Sequence, residues 1–365
     1  RWIKTALGLH RKEPRAMFVL MHTLVIAWTT CCFLPKVQTW ETQKSETPPV
    51  SCAIWHPKLV ADLQLEQGIL SDQSTYGFIQ SMPDQGQRFL FDEFAIRGEL
   101  VQLNNTTQEI FSKHEYPEPV KQLIGEFATA AALLSATIKF SGSLILQVKG
   151  EGQVSMLMAE CRDQQSLRAI ASYKETPNQD QALIGDGQMA IIIEPDEGES
   201  YQGIVLVEDN NLSEVLEKYF LHSEQLRTRI WLSAQNERAA GLLLQSMPES
   251  ASESSLGRES EDWNRICMLA DTITTEELID LPSKQILNRL FHQEQLRLFE
   301  PRQLAFACTC SEERSANTLF SLGETEVRTL LAEEGGTIEI DCQFCHARYQ
   351  FDELDLNKIF GTQVH

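Results

Sequence analysis

The stretch PVKQLIGEFATAAALLSATIKF, residues 119–140, is followed closely by short β-type runs at 143–148, 154–159 and 167–173. That order decides the fold. Within the first run Leu123, Phe127, Ala130 and Leu134 recur every three or four residues. Proline at the first turn and an alanine-rich interior both favour helix. The runs that follow are strand-like, and Gly150 and Gly152 punctuate the first two as a hairpin would.

Working outward, residues 99–103 alternate apolar and polar as a half-buried strand does, and further β-type runs lie at 189–193, 201–207 and 229–233. Residues 211–219 (NLSEVLEKY) interrupt them with one amphipathic helix. Strands bunched together with helices set apart predict the α+β class, not an alternating doubly wound sheet. The expected organisation is a mixed core domain over 82–248, a flexible and helical linker region over 249–305 and a small zinc-binding domain over 306–365. Residues 1–81 are expected to be an extension that takes no part in the core function. They carry a net charge of +4 in their first 47 residues, against −21 for the whole chain of 365.

That overall charge argues against nucleic acid as a partner, because neutralising phosphates needs clustered Lys and Arg. A membrane span is also not expected. Residues 17–34 are mostly apolar and follow Arg11, Lys12 and Arg15, yet they include His22 and three threonines in a short run. The chain begins at Arg1, and Met82 opens a segment that reads like a natural start, so Cys31, Cys32 and Cys52 are given no chemistry. Nine cysteines, an odd and sparse set, fit a reducing compartment, and the cytoplasm is the expected location.

The core domain offers little catalytic machinery. Gly185-Asp186-Gly187 lacks the continuation of a dinucleotide loop and reads as hairpin glycines. Cys161 stands beside Arg162, which could lower a thiol pKa, but no histidine is near in sequence. His114 and His222 read as surface or satisfied residues, and the acidic run 194–199 as a solvated turn. No catalytic residue is expected.

Residues 249–262 (ESASESSLGRESED) read as a flexible linker with one aliphatic residue, Leu256. Beyond it Ile266, Leu269, Ala270 and Ile273 make one helical face, and Thr274 with Glu277 matches a capping box. Ile286, Leu287, Leu290 and Phe291 form a further apolar stripe. Cys267 is expected to be a small buried residue.

Chemistry concentrates at the end of the chain. Cys308-Thr309-Cys310 and Cys342-Gln343-Phe344-Cys345 are two close pairs separated by 31 residues, the pattern of a tetrahedral Cys₄ zinc site with one unusual spacing. Either pair could also close a small local disulfide, which would remove two of four ligands. The surrounding module is small and acidic, with eleven Asp/Glu against four Lys/Arg over 311–365. A module under about 60 residues rarely folds unaided, whereas structural zinc contributes on the order of 10–16 kcal/mol. His346 follows Cys345 directly and is not expected to be a ligand.

These residues carry a resemblance. Phe306-Ala307-Cys308-Thr309-Cys310-Ser311, then Cys342-Gln343-Phe344-Cys345 with Tyr349-Gln350-Phe351, resemble the redox-regulated heat-shock holdase chaperones of the thirty-three-kilodalton family. The likeness extends through Arg97-Gly98-Glu99-Leu100, Glu197-Gly198-Glu199-Ser200-Tyr201-Gln202-Gly203 and Ala239-Ala240-Gly241. His346 stands where glycine is more usual.

The resemblance implies one zinc per reduced chain on Cys308, Cys310, Cys342 and Cys345. Peroxide with unfolding stress, or hypochlorite, would then form disulfides Cys308–Cys310 and Cys342–Cys345 and release the metal. The linker region unfolds, and the protein, commonly a homodimer when oxidised, binds unfolding clients without ATP. Rival readings are a zinc-ribbon adaptor with a fixed partner and a thiol-disulfide oxidoreductase.

Overall fold

Two strands and two helices open the described chain: β1 (Gln85–Phe91), β2 (Ile96–Leu103), α1 (Asn105–Ser112) and α2 (Glu118–Ser135). The computed structural model describes residues 83–139, 141–174, 182–207, 211–247 and 256–361, with side chains from 261 onward in the last segment. The expectations for Cys31, Cys32, Cys52, Met82 and the apolar run 17–34 lie outside them. Among the described residues no helix is long and apolar enough to cross a membrane.

Helix α2 explains the rest. Its alanine-rich stretch from Phe127 to Ser135 is buried on every side because both sides are covered, and Val120, Ile124, Phe127, Ala128, Ala131 and Leu133 are fully buried. A helix that is hydrophobic all round belongs inside a core. Pro119 starts it without losing a needed N–H.

Against one side of α2 lie β2, β8 (Thr228–Gln235) and β9 (Arg238–Ser246), and against the other β3 (Gly142–Gly150), β4 (Val154–Arg162) and β5 (Ser166–Tyr173). β6 (Gly187–Pro195) and β7 (Tyr201–Val207) complete that second sheet, and α3 (Leu212–Ser223) leads to β8. The fold is α+β, as its bunched strands predict.

The segment after the core adds to both sheets. Helices α4 (Leu256–Ala270), α5 (Thr275–Asp280) and α6 (Ser283–Phe291) lie on the first sheet. Trp263, Ile266, Cys267, Leu287 and Phe291 bury against Phe89, Leu100 and Leu242. The capping box of Thr274 and Glu277 is formed. One expectation is corrected: α4 begins at Leu256, inside the stretch read as flexible. A packed stripe follows directly, and the good helix formers Arg258, Glu259 and Glu261 extend that helix towards its N-terminus.

Three short strands follow. β10 (Leu296–Leu298) and β11 (Arg302–Gln303) both pair with β1, so the first sheet runs β10-β1-β2-β9-β8 with β11 on the same edge. β12 (Ala305–Phe306) then crosses to the second sheet, whose order is β12-β5-β4-β3-β6-β7. It pairs parallel with β5, Phe306 opposite Leu167, in a sheet otherwise antiparallel.

The C-terminal module contains α7 (Glu312–Leu322), α8 (Glu324–Glu333), the hairpin β13 (Thr337–Asp341) and β14 (Arg348–Asp352), and α9 (Glu353–Gly361). Its core is small, built on Leu319, Val327, Ile338, Phe351 and Leu356.

Candidate metal centre

Each cysteine is placed by a backbone device. Cys308 and Cys310 follow β12 after one residue, Ala307, and the Ser311 side chain accepts from Arg314 N at 3.1 Å, turning the chain into α7. In the β13–β14 hairpin, Asp341 pairs with Arg348. Cys342 N then donates to Ala347 O, and His346 N to Cys342 O, both at 2.8 Å. This turn swings Cys345 back towards Cys342. His346 takes a φ of 60°, the left-handed region that glycine occupies most easily.

The four sulfurs lie within 4.8 Å of one another. Cys308 Sγ and Cys342 Sγ are 3.6 Å apart, and Cys310 Sγ and Cys345 Sγ 3.4 Å. A tetrahedron of sulfurs at a zinc–sulfur distance of 2.3 Å has edges of about 3.8 Å, so the donor set fits that ion. Both of these contacts run between the two pairs.

The electrostatics of the cluster favour bound cation. Contact with Cys342 draws the Cys308 thiol down to about 4, helped by the backbone N–H of Cys310. The same contact, with burial, pushes the Cys342 thiol up. One sulfur ionises at its neighbour's expense, and four thiolates need a positive charge among them. Backbone N–H groups of Phe344 and Cys345 point at Cys342 Sγ, and that of Ala347 at Cys345 Sγ. Tyr349 donates its hydroxyl to Cys310 Sγ at 3.2 Å. Such outer contacts orient ligands and tune their basicity.

The centre is docked on the core domain. Arg168 of β5 donates Nη1 to Cys308 Sγ at 3.7 Å, and its guanidinium lies 4.3 Å from the Phe344 ring centroid. It also forms a forked pair with Glu160, its cross-strand neighbour, through Nε at 2.7 Å. Ser143 Oγ donates to the other Glu160 oxygen at 2.9 Å. His114 Nε2 meets Gln343 O at 2.6 Å, and His346 Nε2 meets Lys113 O at 2.5 Å. Lys113 Nζ sits 5.6 Å from the Phe306 ring centroid. His346 is therefore occupied away from the sulfurs.

Among the described residues the two other cysteines, Cys161 and Cys267, are buried and lie outside the cluster. Burial pushes the Cys161 thiol to about 11 and the Cys267 thiol to about 12. Arg162 does not activate Cys161, because adjacent strand residues face opposite ways and Arg162 reaches Asp196 at 2.6 Å instead. Gly185 has a φ of 65°, and Asp186 O accepts from Glu151 N at 2.9 Å, a turn and not a phosphate loop.

The sequence reading missed Arg168, His114 and Tyr349 as neighbours of the centre. Opposite charges at Glu160 and Arg168 around a tight turn were a usable signal for the first. For His114, more than 200 residues from its partner in the chain, there was none.

An α+β core with a docked module whose four cysteines could hold a metal ion defines the class of protein. The family model described as Hsp33 protein matches residues 84–352, and the chain belongs to that family of redox-regulated chaperones. It is 48% identical over 285 residues to the 33 kDa chaperonin of Pseudomonas aeruginosa (strain LESB58), covering 77% of this chain and 96% of the relative. It is likewise 48% identical over 284 residues to the 33 kDa chaperonin of Ectopseudomonas mendocina (strain ymp), with the same coverage. The crystal structure of the 33 kDa chaperonin (heat shock protein 33 homolog) from Thermotoga maritima superposes with a TM-score of 0.64 at 19% identity. That match covers 76% of this chain and 97% of the other, and speaks for the fold alone.

Proposed function

We propose that Cys308, Cys310, Cys342 and Cys345 hold one zinc ion in the reduced chain, and that closing disulfides Cys308–Cys310 and Cys342–Cys345 releases it. The ion supplies positive charge for four thiolates and no redox chemistry of its own. In this reading residues 306–365 are the sensor, 249–305 the conditionally folded region and 82–248 the stable core. The oxidised chain, as a homodimer in the cytoplasm, holds unfolding clients without ATP, and no residue is assigned a catalytic step.

One observation carries the reading. The four sulfurs stand at the end of a segment that is stapled to both sheets by β10, β11 and β12 and covers apolar surface with α4–α6. Losing the centre frees the end of that segment. Each buried Leu, Ile or Phe is worth about 1.5–3 kcal/mol, so the stripe resists release. This supports a need for unfolding stress as well as oxidant.

Sulfur proximity does not choose the disulfide pairing. Membership of the family supports the local pairs, as does chain tethering: one or two residues separate the members of each pair, and 31 residues separate the pairs.

The test is to load the chain with zinc, add peroxide at mild heat, and follow metal release beside suppression of a client's aggregation. About one zinc per chain should leave as activity rises, and a thiol reductant with zinc should reverse both. Equal activity in reduced and oxidised chains would sink the switch.

A further inference from the structure

We infer that Arg168 is the core domain's sensor of the charge on the cysteine centre, so that docking of the C-terminal module depends on the centre being anionic. The inference rests on the zinc reading above and adds how the signal leaves the metal site.

Arg168 lies on the face of β5 opposite the central core. Its neighbours Leu167 and Ala169 point inward and are buried in the main cluster. An arginine on that outer face would normally reach water, yet its side chain is only 13% exposed and that of Glu160 only 4%. Cys308 and Phe344 both lie against the guanidinium. Burying a cation is costly unless its surroundings return the energy. Glu160 takes the Nε and Nη2 donors of Arg168 and leaves Nη1 facing Cys308 Sγ, so the buried guanidinium gains from an anion on that side. Four thiolates around a divalent cation carry two net negative charges and provide it.

Oxidation removes that anion. Each pair of thiolates gives two electrons to one peroxide, an S–S bond forms, the O–O bond breaks, and two protons complete two waters. For the whole centre, two peroxides and four protons yield two disulfides, four waters and a free zinc ion. Four thiolate charges disappear and the ion leaves, so the site facing Arg168 becomes neutral. Arg168 and Glu160 then gain by returning to water, which requires Phe344 and Cys308 to lift away. β12 connects to Cys308 through Ala307, and its hold on β5 is short, with Ala305 N to Gln165 O and Ala307 N to Leu167 O, each at 3.0 Å. Undocking therefore pulls the linker from the second sheet.

The experiment measures amide hydrogen exchange at Ala305 and Ala307 in the full-length, reduced, zinc-loaded chain. Arg168→Met keeps bulk and removes charge, whereas Arg168→Lys keeps charge and loses the fork. The methionine variant should retain one zinc and protected amides in β13 and β14, while Ala305 and Ala307 exchange at least tenfold faster. The lysine variant should restore most of that protection. A double variant, Glu160→Gln with Arg168→Met, leaves no stranded carboxylate, and it should also fail to protect these amides. Wild-type protection in either methionine-bearing chain, or equal loss in the lysine variant, overturns the role of Arg168. A wild-type chain that binds no zinc sinks the metal reading itself, a separate result.

Discussion

His114 of the core domain and His346 of the C-terminal module lie with ring centroids 4.4 Å apart, each ring nitrogen engaging a carbonyl in the other's segment. The contact is reciprocal, so either substitution loosens one interface. His346 also occupies left-handed backbone, and its ring gains a partner there that glycine would lack.

His114→Ala is expected to speed zinc release under a fixed peroxide concentration by about threefold to tenfold, the equivalent of one lost hydrogen bond. The denaturation midpoint of the core should not move. A chromophoric zinc chelator gives the rate, and an unchanged rate would show that this contact does not hold the module.

Arg302 joins the linker to the core from within. Its Nη2 donates to Glu99 at 2.5 Å and its Nη1 to Gln164 O, while Glu99 is 3% exposed. Arg88 offers Glu99 a second, longer contact at 3.5 Å. Arg302→Met should therefore weaken the β11 attachment by about 1–3 kcal/mol, less than a wholly stranded carboxylate would cost. Chaperone activity should then appear at lower temperature at the same oxidant dose. Activation at the wild-type temperature would argue that β11 is not a staple.

Glu126 of α2 should impose a pH dependence on stability. Burial pushes its carboxyl from the ordinary 4.5 up to about 7. Between those values the folded state keeps a proton that the unfolded state has lost. Stability contributed by Glu126 is thus complete below about 4.5, falls as pH rises, and is gone above about 7. Glu126→Gln should stabilise the chain by about 1–3 kcal/mol at pH 8 and change little near pH 4.5. Urea titrations at the two pH values decide the matter, and an equal shift at both would remove the carboxyl as the cause.

Gly98 admits no side chain. A Cβ there would lie 2.0 Å from Cζ of Phe89, which is fully buried and packed against Phe91 and Phe291. Gly98→Ala should cost at least about 2 kcal/mol. It should also strip α4–α6 from the first sheet, since Phe89 belongs to both surfaces. Differential scanning calorimetry with a fluorescent apolar probe would register both effects, and a wild-type melting curve would contradict the packing.

What could be read from the chain divides along physical lines. The helix after Pro119 and the strands at 143–148 and 154–159 were legible because their periodicity is local. So was the capping box at Thr274, where both partners lie within four residues. The four cysteines stood out because metal ligation needs a rare residue in clusters. β10, β11 and β12 were not legible, being two or three residues long and held by pairing with distant edges. β9 (RAAGLLLQS) carries no alternation because both its faces are covered, by α2 and by α5. The docking residues Arg168 and His114 escaped for the same reason as the short strands. Their roles exist only once the chain has brought residues 140 and 229 positions apart together.

The path from Leu296 to Phe306 stitches an edge of each sheet with one thread of chain. A thread sewn through two cloths transmits a cut at its end to both, one stitch after another. On the switch proposed above, opening would have a polarity, with β12 loosening first, Arg302 next and β10 last. Intermediate positions keep the remaining stitches, and the apolar helices stay down until the last is drawn. Under that proposal the arrangement would filter brief oxidation from sustained oxidation: a centre rebuilt before the final stitch gives way would return the chain to rest without exposing an adhesive surface.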